Sequence, residues 1–195
     1  MLYGKRRTRS NLVMKKLLNT FLICVLCLFS SGAVFKIDAE RNAFFHNNKG
    51  VNYLEEENYY SAIKEFEIAI RLNPNTQATA VYYSNLGRTY MKIGYPKMAQ
   101  PCFERAIIQN PLSFDYYLAL VSAYKSLGLL DVKLKEYKAK KNDPMREIML
   151  GLIYIEKGQV STGVTTLDEF CNREPNLLIT KAIKQHMKNK VYKCK

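Results

Sequence analysis

His46 and His186 are the two histidines of this chain, and neither has a partner set near it in sequence. A zinc hydrolase needs two histidines and a glutamate in an HExxH turn, a phosphate cradle needs a glycine-rich loop ending in lysine, and an acyl-transfer serine needs a GxSxG elbow. None of these strings occurs, and no dinucleotide fingerprint is present. Glu65 and Glu67 lie two apart, so a helix sends them to different sides. Glu55–Glu57 reads as a solvated helix end rather than an acid–base pair. Cys102, Cys171 and Cys194 lie beyond the N-terminal region. About 17 helical residues between Cys171 and Cys194 would separate them by roughly 25 Å, beyond disulfide reach. Cys102, beside Phe103, reads as core, and an intermolecular bond is left open to Cys194. The expectation is a chain that is not an enzyme and holds no metal or cofactor.

Charge is the next candidate for function. The formal net charge is +13. From Val34 onward 24 basic residues face 17 acidic ones, and the last 15 residues hold six lysines and no acid. Residues 43–76 are acidic, with five glutamates against Lys49, Lys64 and Arg71. Such lengthwise asymmetry can steer an acidic partner or a membrane surface toward the C-terminal end. The plainer reading is a solvated capping face. The lysines lack interleaved aromatics, so no nucleic-acid partner is expected.

Much of the remaining basic charge precedes residue 17. Residues 17–29 read LLNTFLICVLCLF behind Lys15 and Lys16. From Met14 the string MKKLLNTFLICVLCLFSSGA has the basic start, apolar centre and small-residue end of a secretory signal. Met14 or Met1 can then be the start, with cleavage after Gly32 or Ala33. Leu17–Phe35 is also a run of 19 uncharged residues, long enough for a marginal membrane helix. Its basic side is N-terminal, which would place the chain beyond Phe35 outside the cytoplasm. Cleaved signal and membrane anchor both stay open. Cys24 and Cys27 come directly after Ile23 and Leu26, a poor context for lipidation.

The elements behind the leader are set by a pattern that occurs twice. Gly50, Tyr53, Ala62, Phe66, Glu67, Ala69, Ile70, Asn73 and Pro74 recur 37 positions later as Gly87, Tyr90, Ala99, Phe103, Glu104, Ala106, Ile107, Asn110 and Pro111. A fixed period in this range marks a stacked repeat architecture. Small residues at Gly50, Ala62 and Ala69 let two antiparallel helices approach, and the aromatics fill the space beside them. The Asn-Pro steps read as helix ends. The spacing predicts helices over 43–56, 60–72, 80–93 and 96–109, with Gln77–Thr79 as extra loop and Gly94 as a left-handed helix end.

This pattern resembles the tetratricopeptide repeat, a helix–turn–helix of 34 residues. Degraded copies continue. Tyr117, Leu120, Tyr124, Gly128 and Tyr137 fit a third repeat, although Val121, Lys133 and Lys140 stand where small residues are expected. Leu150, Gly151, Tyr154, Gly158, Leu167, Phe170 and Pro175 fit a fourth that begins near Pro144, about one helical turn early, so the second helix of repeat three should be short. Asn176–Tyr192 reads as a last helix with Leu177, Leu178, Ala182 and Ile183 inward. The predicted organisation is all-α: residues 1–33 a basic N-terminus and signal or anchor, 34–42 a linker, 43–175 an α-solenoid of about four repeats (43–76, 80–113, 114–143, 144–176), and 177–195 a basic capping helix and tail.

The resemblance implies a non-catalytic scaffold that binds a protein or peptide on the concave face lined by the first helix of each repeat. Family positions map that face onto Phe44, Asn47, Val51, Leu54 and Glu55, then Val81, Ser84, Arg88, Met91 and Lys92. Repeat three adds Asp115, Leu118, Ser122, Lys125 and Ser126, and repeat four adds Met145, Ile148, Leu152, Ile155 and Glu156. Apolar positions at both ends suit an apolar or amphipathic peptide, unless some of these side chains pack against Lys36–Arg41 or the capping helix. The family's carboxylate clamp would need lysines, asparagines and an arginine where this chain has Asn47, Val51, Asn85, Asp115 and Ala119. Only Asn85 agrees, so no clamp is expected. A signal ahead of a short array resembles assembly factors of pili and envelope secretion systems. The alternative is a cytoplasmic chaperone or regulator whose apolar N-terminus binds a partner.

Overall fold

The computed structural model describes residues 4–141, 143 and 145–189, and of residues 4–13 and 24–37 the backbone alone. The chain divides into two compact units, Met1–Asn42 and Ala43–Lys195. Among the described residues it is helical throughout, with α1 Gly4–Glu55, α2 Tyr59–Leu72, α3 Gln77–Lys92, α4 Pro96–Gln109, α5 Phe114–Ser126, α6 Leu130–Ala139, α7 Arg146–Glu156, α8 Val160–Arg173 and α9 Leu178–Asn189. The α-solenoid of helix pairs expected from the repeat pattern is the observed architecture.

The matched glycines set the closest approach within each pair. A Cβ on Gly50 would lie 2.6 Å from Phe66 Cε1, and one on Gly87 would lie 2.7 Å from Phe103 Cε1. Each ring therefore occupies the space a side chain on the facing helix would need. Ala62, Phe66, Ala69, Ala99, Phe103 and Ala106 are buried in the same way in both copies. Gly151 repeats the arrangement against Leu167. Gly94, Gly128 and Gly158 end their helices at φ of 78°, 68° and 82°, a region that favours glycine.

Three sequence expectations are corrected. Gln77–Thr79, read as extra loop, is the first turn of α3. Thr76 accepts a hydrogen bond from the Thr79 backbone N–H, and the Thr79 side chain accepts one from Thr76 N–H. This reciprocal cap satisfies two end groups of the helix. Thr79 is fully buried, and its hydroxyl also donates to the Asn73 carbonyl. Second, residues 34–42, read as a linker, are helical. No proline or glycine lies between Ala33 and Lys49 to end the helix. Third, Leu178 and Ala182 of α9 face solvent, whereas Ile179 and Ile183 are fully buried.

Repeat three is built differently, as its sequence suggested. α6 has ten residues and buries none of them. Lys133, where a small residue was expected, keeps its stem half-buried and sets its ammonium over the Tyr124 ring at 5.2 Å. Lys140, itself exposed, sets its ammonium over the Tyr137 ring at 4.6 Å. Long cationic side chains thus replace close helix contact. Readings placed on Pro144, Lys190, Tyr192, Lys193, Cys194 and Lys195 lie outside the described residues, as do the side chains of Cys24 and Cys27. Among the described residues no helix is long and apolar enough to cross a membrane. The span Leu17–Phe35 falls largely on side chains outside them.

One buried charge joins α1 to α2. Glu65 is buried and binds His46 Nδ1 at 2.6 Å and Lys49 Nζ at 2.8 Å. Burial works against its charge, but the bonds from His46 and Lys49 outweigh that and hold the carboxyl below the usual glutamate range.

Two substitutions test this packing. Ala99→Leu should lower stability in urea unfolding by about 1–3 kcal/mol through overpacking against the facing helix; an unchanged midpoint would contradict the proposed register. Glu65→Gln should destabilise by about 1–3 kcal/mol near neutral pH. Because the folded-state pKa is depressed, Glu65 contributes stability above the ordinary glutamate range and loses it as pH falls through the folded value. The gap between parent and variant should close in acid, and a gap independent of pH would refute the ion-pair account.

Candidate protein-binding face

The first helices of the repeats share a face, and polar bonds tie its strips together. Asn85 of α3 donates to Asn47 of α1 at 2.9 Å, and Lys125 of α5 pairs with Glu156 of α7 at 2.8 Å. Both pairs join side chains at or beside mapped face positions on consecutive first helices.

The mapped positions fall into three groups. Phe44 is 60% exposed and Val81 43% exposed, and Arg88 and Ser122 are also exposed. Val51, Leu54, Met91, Leu118 and Ile155 are half-buried and present part of an apolar floor. Asn47, Ser84, Ile148 and Leu152 are buried. Asn47 is spent on its bond to Asn85. Ile148 and Leu152 belong to the main core with Ile179 and Ile183 of α9, so they offer no free surface. The expected apolar patch at repeat four is closed for this reason. The open floor runs from Phe44 to Ser122, with Arg88 at its centre. Among the lysines and acids at its edges, Glu55, Lys92, Asp115 and Lys125 are exposed.

The sequence mapped Ile148 and Leu152 onto the face and left open that some mapped side chains pack inward; these two do. A signal for it was present: repeat four puts Leu152 where repeats two and three put Arg88 and Ser122. Phe45, 61% exposed beside Phe44, was missed.

The reactive groups are sheltered. Burial pushes the Cys102 thiol up to about 12 and raises that of Cys171, which suppresses the thiolate that reaction requires. Burial also raises Tyr124 and Tyr137, which share a hydrogen bond; Tyr124 donates to Glu104 at 3.2 Å. Among the described residues no three of His, Cys, Asp and Glu gather as metal ligands. A cavity of about 280 Å³ lies at the end of the short α6, lined by Ile107, Ile108, Pro111, Tyr117, Tyr137, Asp143, Met145 and Met149. Asp143 there accepts from the Met145 N–H at 2.9 Å, closing a turn.

The tetratricopeptide repeat family profile matches residues 45–76 and 80–111. No curated protein matches the sequence. Among solved structures, that of MamA is 24% identical with a TM-score of 0.48, covering 74% of this chain and 84% of that one. The first tetratricopeptide domain of Spaghetti (RPAP3), bound to an HSP90 peptide, is 18% identical with a TM-score of 0.48, covering 65% and 98%. Pseudomonas aeruginosa pilF is 15% identical with a TM-score of 0.48, covering 75% and 67%. The two profile matches fall on the helix pairs α1–α2 and α3–α4, where glycine meets phenylalanine and the buried alanines repeat. Residues 45–76 and 80–111 are thus two tetratricopeptide repeats within an all-helical solenoid.

Proposed function

We propose that this chain is a non-catalytic scaffold that binds an apolar or amphipathic segment of another protein along the open floor of α1, α3 and α5. The observation that carries this reading is the exposure of Phe44 and Val81 beside the half-buried Val51, Leu54, Met91 and Leu118. Large apolar side chains left open on one face mark an interaction surface. Arg88, exposed in the middle of that floor, adds a cation that favours a segment carrying a carboxylate.

The scaffold works outside the cytoplasm or anchored to the inner membrane, helping to assemble a pilus or envelope secretion complex. Support comes from the leader-like sequence and from Met14, Leu17, Leu18, Phe21, Leu22 and Ile23, all of them exposed. An uncovered apolar helix behind Lys15 and Lys16 suits a membrane or a translocation channel better than water. Binding by a partner in the cytoplasm is the competing use of the same surface.

Two measurements check this reading. A photo-crosslinking amino acid at Arg88, introduced in the native host, should capture a defined partner band, and Val81→Glu should abolish it without shifting the unfolding midpoint. A band that survives Val81→Glu would move the binding surface elsewhere. Host fractionation with intact-mass analysis should give a chain starting near Ala33 or Val34, or an intact leader in the membrane fraction. Full-length protein in the cytosol would contradict export.

A further inference from the structure

Repeat three lacks a helical turn that its neighbours have. α2, α4 and α8 have 14 residues each, whereas α6 has ten. In the longer helices the last turn packs inward: Ala69, Ala106, Phe170 and Cys171 are buried. The residues at those repeat positions after α6 are Lys140 and Lys141, and both are exposed. An ammonium without a partner does not follow apolar side chains into a core. The space is left as the cavity of about 280 Å³ beside the end of α6.

The lining decides what suits it. Ile107, Ile108, Pro111, Met145 and Met149 supply apolar surface. The polar side chains of the lining are already engaged. The Tyr117 hydroxyl donates to the Pro111 carbonyl at 2.9 Å, Tyr137 shares a hydrogen bond with Tyr124, and Asp143 accepts from the Met145 N–H at 2.9 Å. An apolar occupant breaks none of these bonds, whereas a polar one meets few groups free to bond it. Size narrows the choice further. A cavity of about 150 Å³ holds benzene, and drug-sized ligands take roughly 300–1,000 Å³. The space therefore fits a large side chain better than a cofactor.

The mouth is cationic. Ile108, 68% exposed, carries apolar surface out of the cavity. Lys140 holds its ammonium 4.6 Å over the ring of Tyr137, a lining residue. Lys141 is exposed two residues before Asp143, and Arg105 is exposed one turn before Ile108 on α4. Among the described residues none of these three cations is in an ion pair. They favour carboxylates around whatever enters.

We propose that this cavity is an anchor pocket for a partner protein, and that it takes one phenylalanine- or leucine-sized side chain from an acidic segment of that partner. The side chain fills the space of the missing turn, and the carboxylates on either side of it meet Lys140, Lys141 and Arg105. Of the lining residues only Met145 belongs to the mapped face, so the pocket is a site separate from the open floor and does not rest on the scaffold reading.

The test follows labelled Ile, Val and Met methyl groups of the full chain by NMR during titration with a short peptide of glutamates around one central phenylalanine. The methyls of Ile107, Ile108, Met145 and Met149 should shift saturably, and those of Val81 and Met91 on the open floor should not move. The same peptide with alanine at its centre should leave all of them in place. A peptide with lysines around the phenylalanine should bind about tenfold more weakly, and so should the acidic peptide to a Lys140→Glu, Lys141→Glu variant. No saturable shift at the lining methyls up to about 1 mM peptide would overturn the proposal. So would equal binding of the alanine peptide, shifts centred on Val81 and Met91, or equal binding of the lysine-flanked peptide to the parent chain. Failure of the Arg88 crosslink would count against the open floor and leave these readouts untouched.

Discussion

Everything in the array depends on how closely two helices of a pair can approach. Phe66 lies where a side chain on Gly50 would be, Phe103 does the same at Gly87, and Leu167 at Gly151. A ring pressed against bare backbone fills the gap between helices and fixes their register. The alanines beside it are fully buried because nothing larger fits. Once each pair is locked, its first helix is held at a set angle to the next, and the side chains it does not bury form a shared face. The proposed binding surface is thus a product of interior packing that it does not contain.

Repeat three shows what happens when that constraint relaxes. Val121, Lys133 and Lys140 replace small residues, α6 is short, and the lysine ammonium groups sit over the Tyr124 and Tyr137 rings. Cation–π contacts hold such a junction with less shape specificity than a ring against glycine. The cavity at the end of α6 lies in this same region. Repeat four returns to close approach through Gly151 and Gly163, where a Cβ on Gly163 would meet the Gly151 carbonyl at 2.5 Å.

The fold was legible in the sequence because its determinants are local and periodic. Gly50 and Phe66 lie within one repeat, and their copies recur at a fixed offset. The helix ends were legible where glycine or proline marks them, as at Gly94 and Pro96. They were not legible at Gln77–Thr79, where a threonine pair caps the helix from the side chains. The exposure of the mapped face was legible only in part. Position in a repeat predicts which way a side chain points but not what lies over it. Ile148 and Leu152 stand at mapped face positions and are buried in the main core, which also holds Ile179 and Ile183 from about 30 residues downstream. Sequence spacing relates Glu65 only to Glu67, whereas its partners His46 and Lys49 lie a helix away. Contacts between distant segments leave little trace in one sequence.

The mapped face is therefore divided: an open, mixed floor at α1, α3 and α5, and buried apolar positions at α7. Solvent paramagnetic relaxation, measured on the full chain with labelled Ile, Leu, Val and Met methyl groups, tests this division most directly. A soluble paramagnetic agent should relax the methyls of Val51, Leu54, Val81 and Met91, and leave those of Ile148, Leu152, Ile179 and Ile183 nearly untouched. Relaxation of Ile148 and Leu152 as strong as that of Val81 would mean that the face stays open at repeat four, and the account of a divided face would fail.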